Sequence, residues 1–210
     1  MDPRGIGWDE MVRTVIFVEG GGESKELRTR CREGFSKLIK NMGFAGRMPR
    51  IVACGGRDKA YEMFRLSQKS ALKDEYPMLL VDSEDPVTSS HWDHLHIRDG
   101  WDRPAGAEDE QAQMMATCME TWIMADHKAM KKIFGPCLLE GNLFPVSGLE
   151  ERSRQELLEA LRSATRDCGK GRGYEKGKRS FQILAELNVR LLEEKLHYFR
   201  HFKEALGRHL

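Results

Sequence analysis

The stretch from Pro77 to Asp85, P-M-L-L-V-D-S-E-D, constrains this chain more than any other. Met78 to Val81 is an apolar run without polar alternation, the pattern of a strand buried on both faces in a parallel sheet. The run passes directly into Asp82, Glu84 and Asp85. The carboxyl ends of parallel strands are where open α/β folds place their sites, and in an extended segment Asp82 and Glu84 point to one side. Two such carboxylates repel each other unless a cation lies between them, and hard oxygen donors favour Mg²⁺ or Mn²⁺. The competing reading is an acidic loop that is simply solvated.

A second β-branched run, Arg13 to Val18 (R-T-V-I-F-V), also ends on a carboxylate, Glu19, followed by Gly20, Gly21, Gly22 and Glu23. The order G-G-G-E-S-K is not the G-x-x-x-x-G-K-[ST] of a phosphate-binding P-loop. Glu19 and Glu23 would face any phosphate directly, so they suit a metal or proton transfer better; the glycines also serve a tight strand-to-helix turn on steric grounds alone. Helical spacing follows over Glu23 to Met42, a short strand over Arg50 to Cys54, and a second helix over Asp58 to Leu72. Strand, helix, strand, helix, strand is the signature of a parallel sheet with right-handed crossovers. If the first and third strands are neighbours, Glu19 lies beside Asp82 and Glu84.

The 210 residues carry a formal charge of +1, so no global bias declares a partner, but acids gather at the expected site and bases near the C-terminus. Five scattered cysteines without a C-x-x-C pair read as reduced thiols of a cytosolic protein. The opening M-D-P-R-G begins a short polar arm with no apolar leader, and no stretch approaches the ~18 apolar residues of a membrane span, so a soluble, cytoplasmic protein is expected. His91, His94 and His96 form H-x-x-H-x-H, which matches no standard zinc spacing. The expectation there is a loop that packs Trp92 and Trp101 and exposes its histidines, one of which could stand near a scissile phosphate.

Gly135 to Leu149, with two prolines, reads as a linking segment, which divides the chain into residues 1–135 and a helical extension over 136–210. Helices are expected over Glu150 to Arg162 and, as one or two pieces, over Phe181 to Leu206, whose apolar stripe is either core or interface. Between them runs a basic, glycine-spaced loop from Arg166 to Arg179. Lys170, Arg172, Lys178 and Arg179 suit a phosphate backbone and Tyr174 a stacked base. The alternative is an exposed loop whose charges only keep it soluble.

Glu19-Gly20 together with Asp82-Ser83-Glu84 resembles the E-G and D-x-D motifs of the Toprim domain of type IA topoisomerases, bacterial primases and overcoming-lysogenization-defect nucleases, over roughly the first 125 residues. Glutamate replaces the second aspartate, so either Glu84 or Asp85 fills that role. Further motifs, H-W-D-H-L-H-I-R-D-G-W-D-R-P from His91, Q-A-Q-M-M-A-T-C-M-E-T-W-I-M-A-D from Gln111 and Y-E-K-G-K from Tyr174, resemble a Toprim-related bacterial family of unknown function, commonly encoded beside AAA- or ABC-type ATPases in mobile or defence loci.

The resemblance implies an α/β fold with a Toprim-like parallel sheet of about four strands, covered by helices and followed by a C-terminal helical extension. It makes Met114 to Met119 the fourth strand, with Glu120 at its end and Glu120 to Phe134 mostly helical, where periodicity alone reads one helix over Gln111 to Phe134. It also matches Lys176 to a lysine of a Y-x-K pattern, where it would stabilise charge on a phosphate. The resulting expectation is a metal-dependent nuclease of DNA or RNA, coupled to an ATPase partner in anti-phage defence. Asp82 and Glu84 would hold Mg²⁺ or Mn²⁺, Asp85 or Glu120 would complete the shell, and Glu19 would bind a second ion or move a proton. A non-catalytic adaptor that binds nucleic acid and ATPase, and a receiver-like phosphoacceptor using Asp82, are the other classes considered.

Overall fold

Alternation along the first strand explains the layering of the molecule. In β1 (Arg13–Val18), Ile16 and Val18 face one apolar cluster while Val15 and Phe17 face another, as period-two geometry requires of a strand covered on both sides. β3 (Glu75–Asp82) repeats the division, with Met78 and Leu80 on the first side and Leu79 and Val81 on the second. This computed structural model describes residues 13–70 and 75–210; the expected N-terminal arm, and Ala71 and Leu72 at the end of the second expected helix, lie outside the described residues.

β2 (Arg50–Ala53) and β4 (Ala112–Met115) complete a four-stranded, all-parallel sheet in the order β2-β1-β3-β4. The two long apolar strands are central neighbours: Val18 stands opposite Leu80, and Asp82 opposite Met115. The chain therefore leaves β1 at Glu19 and β3 at Asp82 on the same edge. α2 (Arg57–Ser70) and α3 (His91–Asp99) cover the second face through Ala60, Phe64, Trp92 and Leu95.

The first face carries α1 (Lys25–Ile39), α4 (Met119–Ala125), α5 (His127–Phe134), α6 (Arg154–Ala164), α7 (Lys178–Leu184), α8 (Val189–Lys195) and α9 (His197–Arg208). All seven contribute to one cluster that runs from Ile16 to Leu206. The C-terminal apolar stripe is thus core: Phe199 and Phe202 pack on Trp122 with ring centroids 5.0 and 6.0 Å away. The expected α/β class and the Toprim-like parallel sheet with a helical C-terminal part are present. Among the described residues no helix is long and apolar enough to cross a membrane.

Four local expectations are corrected. Gln111 to Phe134 is neither one helix nor a strand over Met114 to Met119; the strand is Ala112–Met115, and Glu120 lies in the first turn of α4. Every residue from Gln111 to Ala125 is buried, so the sequence there has no polar face from which a period could be read. The His91 segment is a helix capped by Ser90 rather than a loop; Trp92 and Trp101 are buried as expected, but so is His94. Gly135 to Leu149 folds into short 3₁₀ turns that place Leu138, Leu143 and Leu149 in the main cluster instead of forming a free connector. Finally, Cys137 and Cys168 form a disulfide with Cα atoms 4.9 Å apart, while Cys31, Cys54 and Cys118 are free and buried. That pair is separated by 31 residues, a spacing that carries no signature and becomes a contact only through the fold.

Candidate metal centre

The strand ends bring the acids together. Glu19 N donates to Leu80 O at 2.9 Å, extending the β1–β3 ladder by one residue, and its Oε2 accepts from Asp82 N at 3.2 Å. Past β3, Ser83 N and Glu84 N donate to Met115 O and Thr117 O at 3.1 and 2.7 Å, so the acidic turn is anchored to the chain leaving β4. Glu84 adopts a left-handed backbone (φ 66°), so the segment is not extended there. Non-glycine residues persist in that region only when their surroundings hold them. Each of Glu19, Asp82 and Glu84 nevertheless offers an oxygen, and these oxygens lie within 4.8 Å of one another. The glycine run is a steric requirement of the turn into α1: at Gly21 (φ 87°) a Cβ would stand 2.8 Å from the Cα of Arg28.

Cations close the site from three directions. Arg57, in the first turn of α2, donates to the Asp82 carbonyl, lies 3.4 Å from Glu19 Oε2, and is itself held by Asp99 at 2.5 and 3.0 Å. Arg154, from the first turn of α6, pairs with both oxygens of Glu84. Lys176 reaches in from the glycine-spaced loop, its Nζ 3.7 Å from Asp82 Oδ2 and 3.8 Å from Glu120 Oε2. Glu19, Asp82, Arg154 and Lys176 line a cavity of about 280 Å³.

Burial shapes the electrostatics. Asp82 is 3% exposed, and burial followed by the charge of Glu19 pushes its carboxyl well above the usual range, against the pull of Lys176. Burial also raises Glu19, with Arg57 opposing and Glu84 reinforcing the shift. Burial works against the Lys176 ammonium, but Glu120 and Asp82 outweigh it and the net shift is upward. Met119 N donates to Asp82 Oδ1 at 2.8 Å, and the Tyr174 hydroxyl donates to Glu120 Oε1 at 2.7 Å. The other oxygen of the fully buried Glu120, Oε2, has no hydrogen-bond partner among the described residues. Lys176 Nζ, 3.8 Å away, is beyond hydrogen-bond reach, and a buried carboxylate oxygen without a hydrogen bond is costly. Oxygen-only donors, clustered and short of compensation, fit a hard divalent cation such as Mg²⁺ or Mn²⁺.

Of the residues singled out from sequence, Glu19, Asp82, Glu84, Glu120 and Lys176 converge here. Asp85 does not: it is exposed and pairs with Arg98 at 3.2 Å. Glu23 is exposed on the turn before α1 and is not among the clustered acids. Tyr174 is buried beneath the site with its hydroxyl on Glu120, so its ring offers no face for a base to stack on. Lys170, Arg172 and Lys178 are exposed and Arg179 half-buried. His94 Nε2 donates to Ser83 O at 2.9 Å and His91 Nδ1 to Ala112 O at 2.6 Å, so both serve the backbone. Arg57 and Arg154 escaped the sequence reading. Arg57 follows the Gly55-Gly56 turn at the end of β2, and its place on the same edge was a usable signal; Arg154, 70 residues beyond Glu84, gave none.

An all-parallel α/β protein with a buried carboxylate cluster at the carboxyl edge of its central strands is the class that fold and site define. By sequence the chain belongs to the family described as Domain of unknown function (DUF4276), whose model matches residues 18–207 and so includes every residue of the cluster. No curated protein and no solved structure matches the chain.

Proposed function

We propose that this protein is a divalent-metal-dependent phosphodiesterase that hydrolyses nucleic acid. The observation that carries the reading is the convergence of Glu19, Asp82 and Glu84 within 4.8 Å, with Glu120 Oε2 buried nearby and making no hydrogen bond among the described residues. Asp82 and Glu84 would hold the ion, with Glu120 in support. A divalent cation bound there supplies an acidified water and offsets charge on a phosphoryl oxygen. Glu19, its proton affinity raised by burial, accepts the proton of the attacking water. Lys176 keeps its charge and would face a non-bridging oxygen, stabilising charge as it develops. Arg57 fixes the Glu19 carboxylate and the Asp82 backbone, and Tyr174 orients Glu120. An ATPase partner, a cytoplasmic setting and a role in anti-phage defence belong to this reading through the Toprim-related resemblance.

The test is cleavage of supercoiled plasmid, linear DNA and single-stranded RNA with Mg²⁺, Mn²⁺ or chelator, comparing wild type with Asp82→Ala and Glu84→Ala. Metal-dependent cutting that each substitution lowers by about 100-fold or more is expected. Cutting that survives both substitutions, or no cutting even with a candidate ATPase added, overturns the reading; the latter favours an adaptor.

A further inference from the structure

Beside the carboxylate cavity lies a second, larger hollow of about 360 Å³ along the seam between α1 and α7. Its lining is strongly basic. Arg30 and Lys37 stand on the α1 side, Lys178 and Arg179 on the α7 side, and Lys132 of α5 at the far end, against only Glu33 and Glu186. Two of these cations are spoken for, Arg30 by Glu26 at 2.8 Å and Lys132 by Glu186. Lys37, Lys178 and Arg179 make no ion pair among the described residues, and Arg179 donates only to Gln182, at 3.1 Å.

The two hollows adjoin at Phe181. Phe181 lines both, Gly177 of the first is followed directly by Lys178 of the second, and Leu27 of the first lies one helical turn before Arg30 of the second. From Leu27 to Lys37 the α1 wall spans about 15 Å at ~1.5 Å per residue. The floor is closed, because a Cβ on Gly34 would stand 2.8 Å from the carbonyl oxygen of Phe181; the helices touch and only their rims are open.

We infer that this α1–α7 trough is the track along which one strand of nucleic acid reaches the carboxylate centre, gripped by its phosphates at Lys37, Lys178 and Arg179. The inference rests on the phosphodiesterase reading for what happens at the centre, but not for binding. The three unpaired cations follow one seam over a closed floor, a single line of contacts that suits one phosphate backbone, and the duplex arm of the assay tests that choice. Phe181 is 4% exposed, so the floor offers no ring for stacking and the grip is independent of sequence.

The experiment is fluorescence anisotropy with labelled single-stranded DNA, single-stranded RNA and duplex DNA of mixed sequence, in chelator so that nothing is cut, across a range of salt. Wild type is expected to prefer single strands, with a slope of log affinity on log salt of about −2, from roughly −0.7 per phosphate contact. The Lys37→Ala/Arg179→Ala double variant should bind at least about tenfold more weakly and lose about 1.4 of that slope. Lys59→Ala, on the opposite helical layer, should bind as wild type does. Lys37→Gln/Lys178→Gln repeats the test if the first pair alters the melting temperature. Wild-type binding that favours duplex, no measurable single-strand binding, or trough variants that bind as wild type each overturn the track. Strand binding through the trough without metal-dependent cutting leaves the track standing and removes the phosphodiesterase reading instead.

Discussion

Two regions of this molecule bury polar side chains against the sheet, and they do so in opposite ways. Around α3, the buried groups are matched to the backbone: His91 Nδ1 donates to Ala112 O, His94 Nε2 to Ser83 O, and Trp92 Nε1 to Glu108 O at 3.1 Å. At the edge of β1 and β3, Glu19, Asp82 and Glu84 are pressed together, and one oxygen of Glu120 makes no hydrogen bond among the described residues. The first region holds the most conspicuous motif in the sequence, three histidines among tryptophans, yet His91 and His94 are spent on backbone carbonyls and His96 is exposed. Unspent polar capacity, more than residue type, separates a site from scaffolding.

Three measurements separate the two regions. The largest effect expected is stabilisation by metal. At about 100 times its dissociation constant, Mn²⁺ should stabilise the protein by about 2.7 kcal/mol, measured by thermal or urea unfolding, and Asp82→Ala should abolish the gain. An equal gain in Asp82→Ala would place the ion elsewhere.

Next in size is a proton linkage in the chelated protein. Asp82 and Glu19 have folded-state pKa values raised above their ordinary 3.8 and 4.5, so the folded protein keeps protons that the unfolded chain has released. Their contribution to stability is therefore unfavourable, growing as pH rises above those ordinary values and levelling only beyond the raised ones. Asp82→Asn removes its share of this penalty. Its stability relative to wild type should increase from about pH 4 upward, followed by urea unfolding at each pH. A constant difference would mean that Asp82 is not strained by burial.

The smallest effect belongs to α3. His94→Ala leaves the buried Ser83 carbonyl without its donor and should cost about 1–2 kcal/mol in urea unfolding. The Mn²⁺ stabilisation should survive intact. Loss of that response would make His94 part of the centre and dissolve the distinction between the two regions.

What could be read from the sequence follows the same physics. β1 and β3 were legible because an unbroken apolar run ending in a carboxylate needs no knowledge of its neighbours, and both ends fell where expected. β4 was misplaced because Gln111 to Ala125 is buried throughout, and a segment without a wet side shows no period. Tyr174 was read as a stacking platform from its basic neighbours, although exposure is set by α4 and Glu120, more than 50 residues away. Arg154 and the Cys137–Cys168 bridge share that difficulty, since each exists through a partner that no local pattern names.

The distribution of charge along the chain has a consequence for its biogenesis. A chain made from its N-terminus carries Glu19, Asp82 and Glu120 before it carries Arg154, Tyr174 and Lys176. The sheet and α4 can be complete in sequence while their clustered acids still lack two of the three cations that approach them. Until α6 and the loop before α7 emerge and dock, those acids must remain hydrated or protonated. The carboxylate edge of this protein therefore gains two of its three cations only after its own acids have all been made.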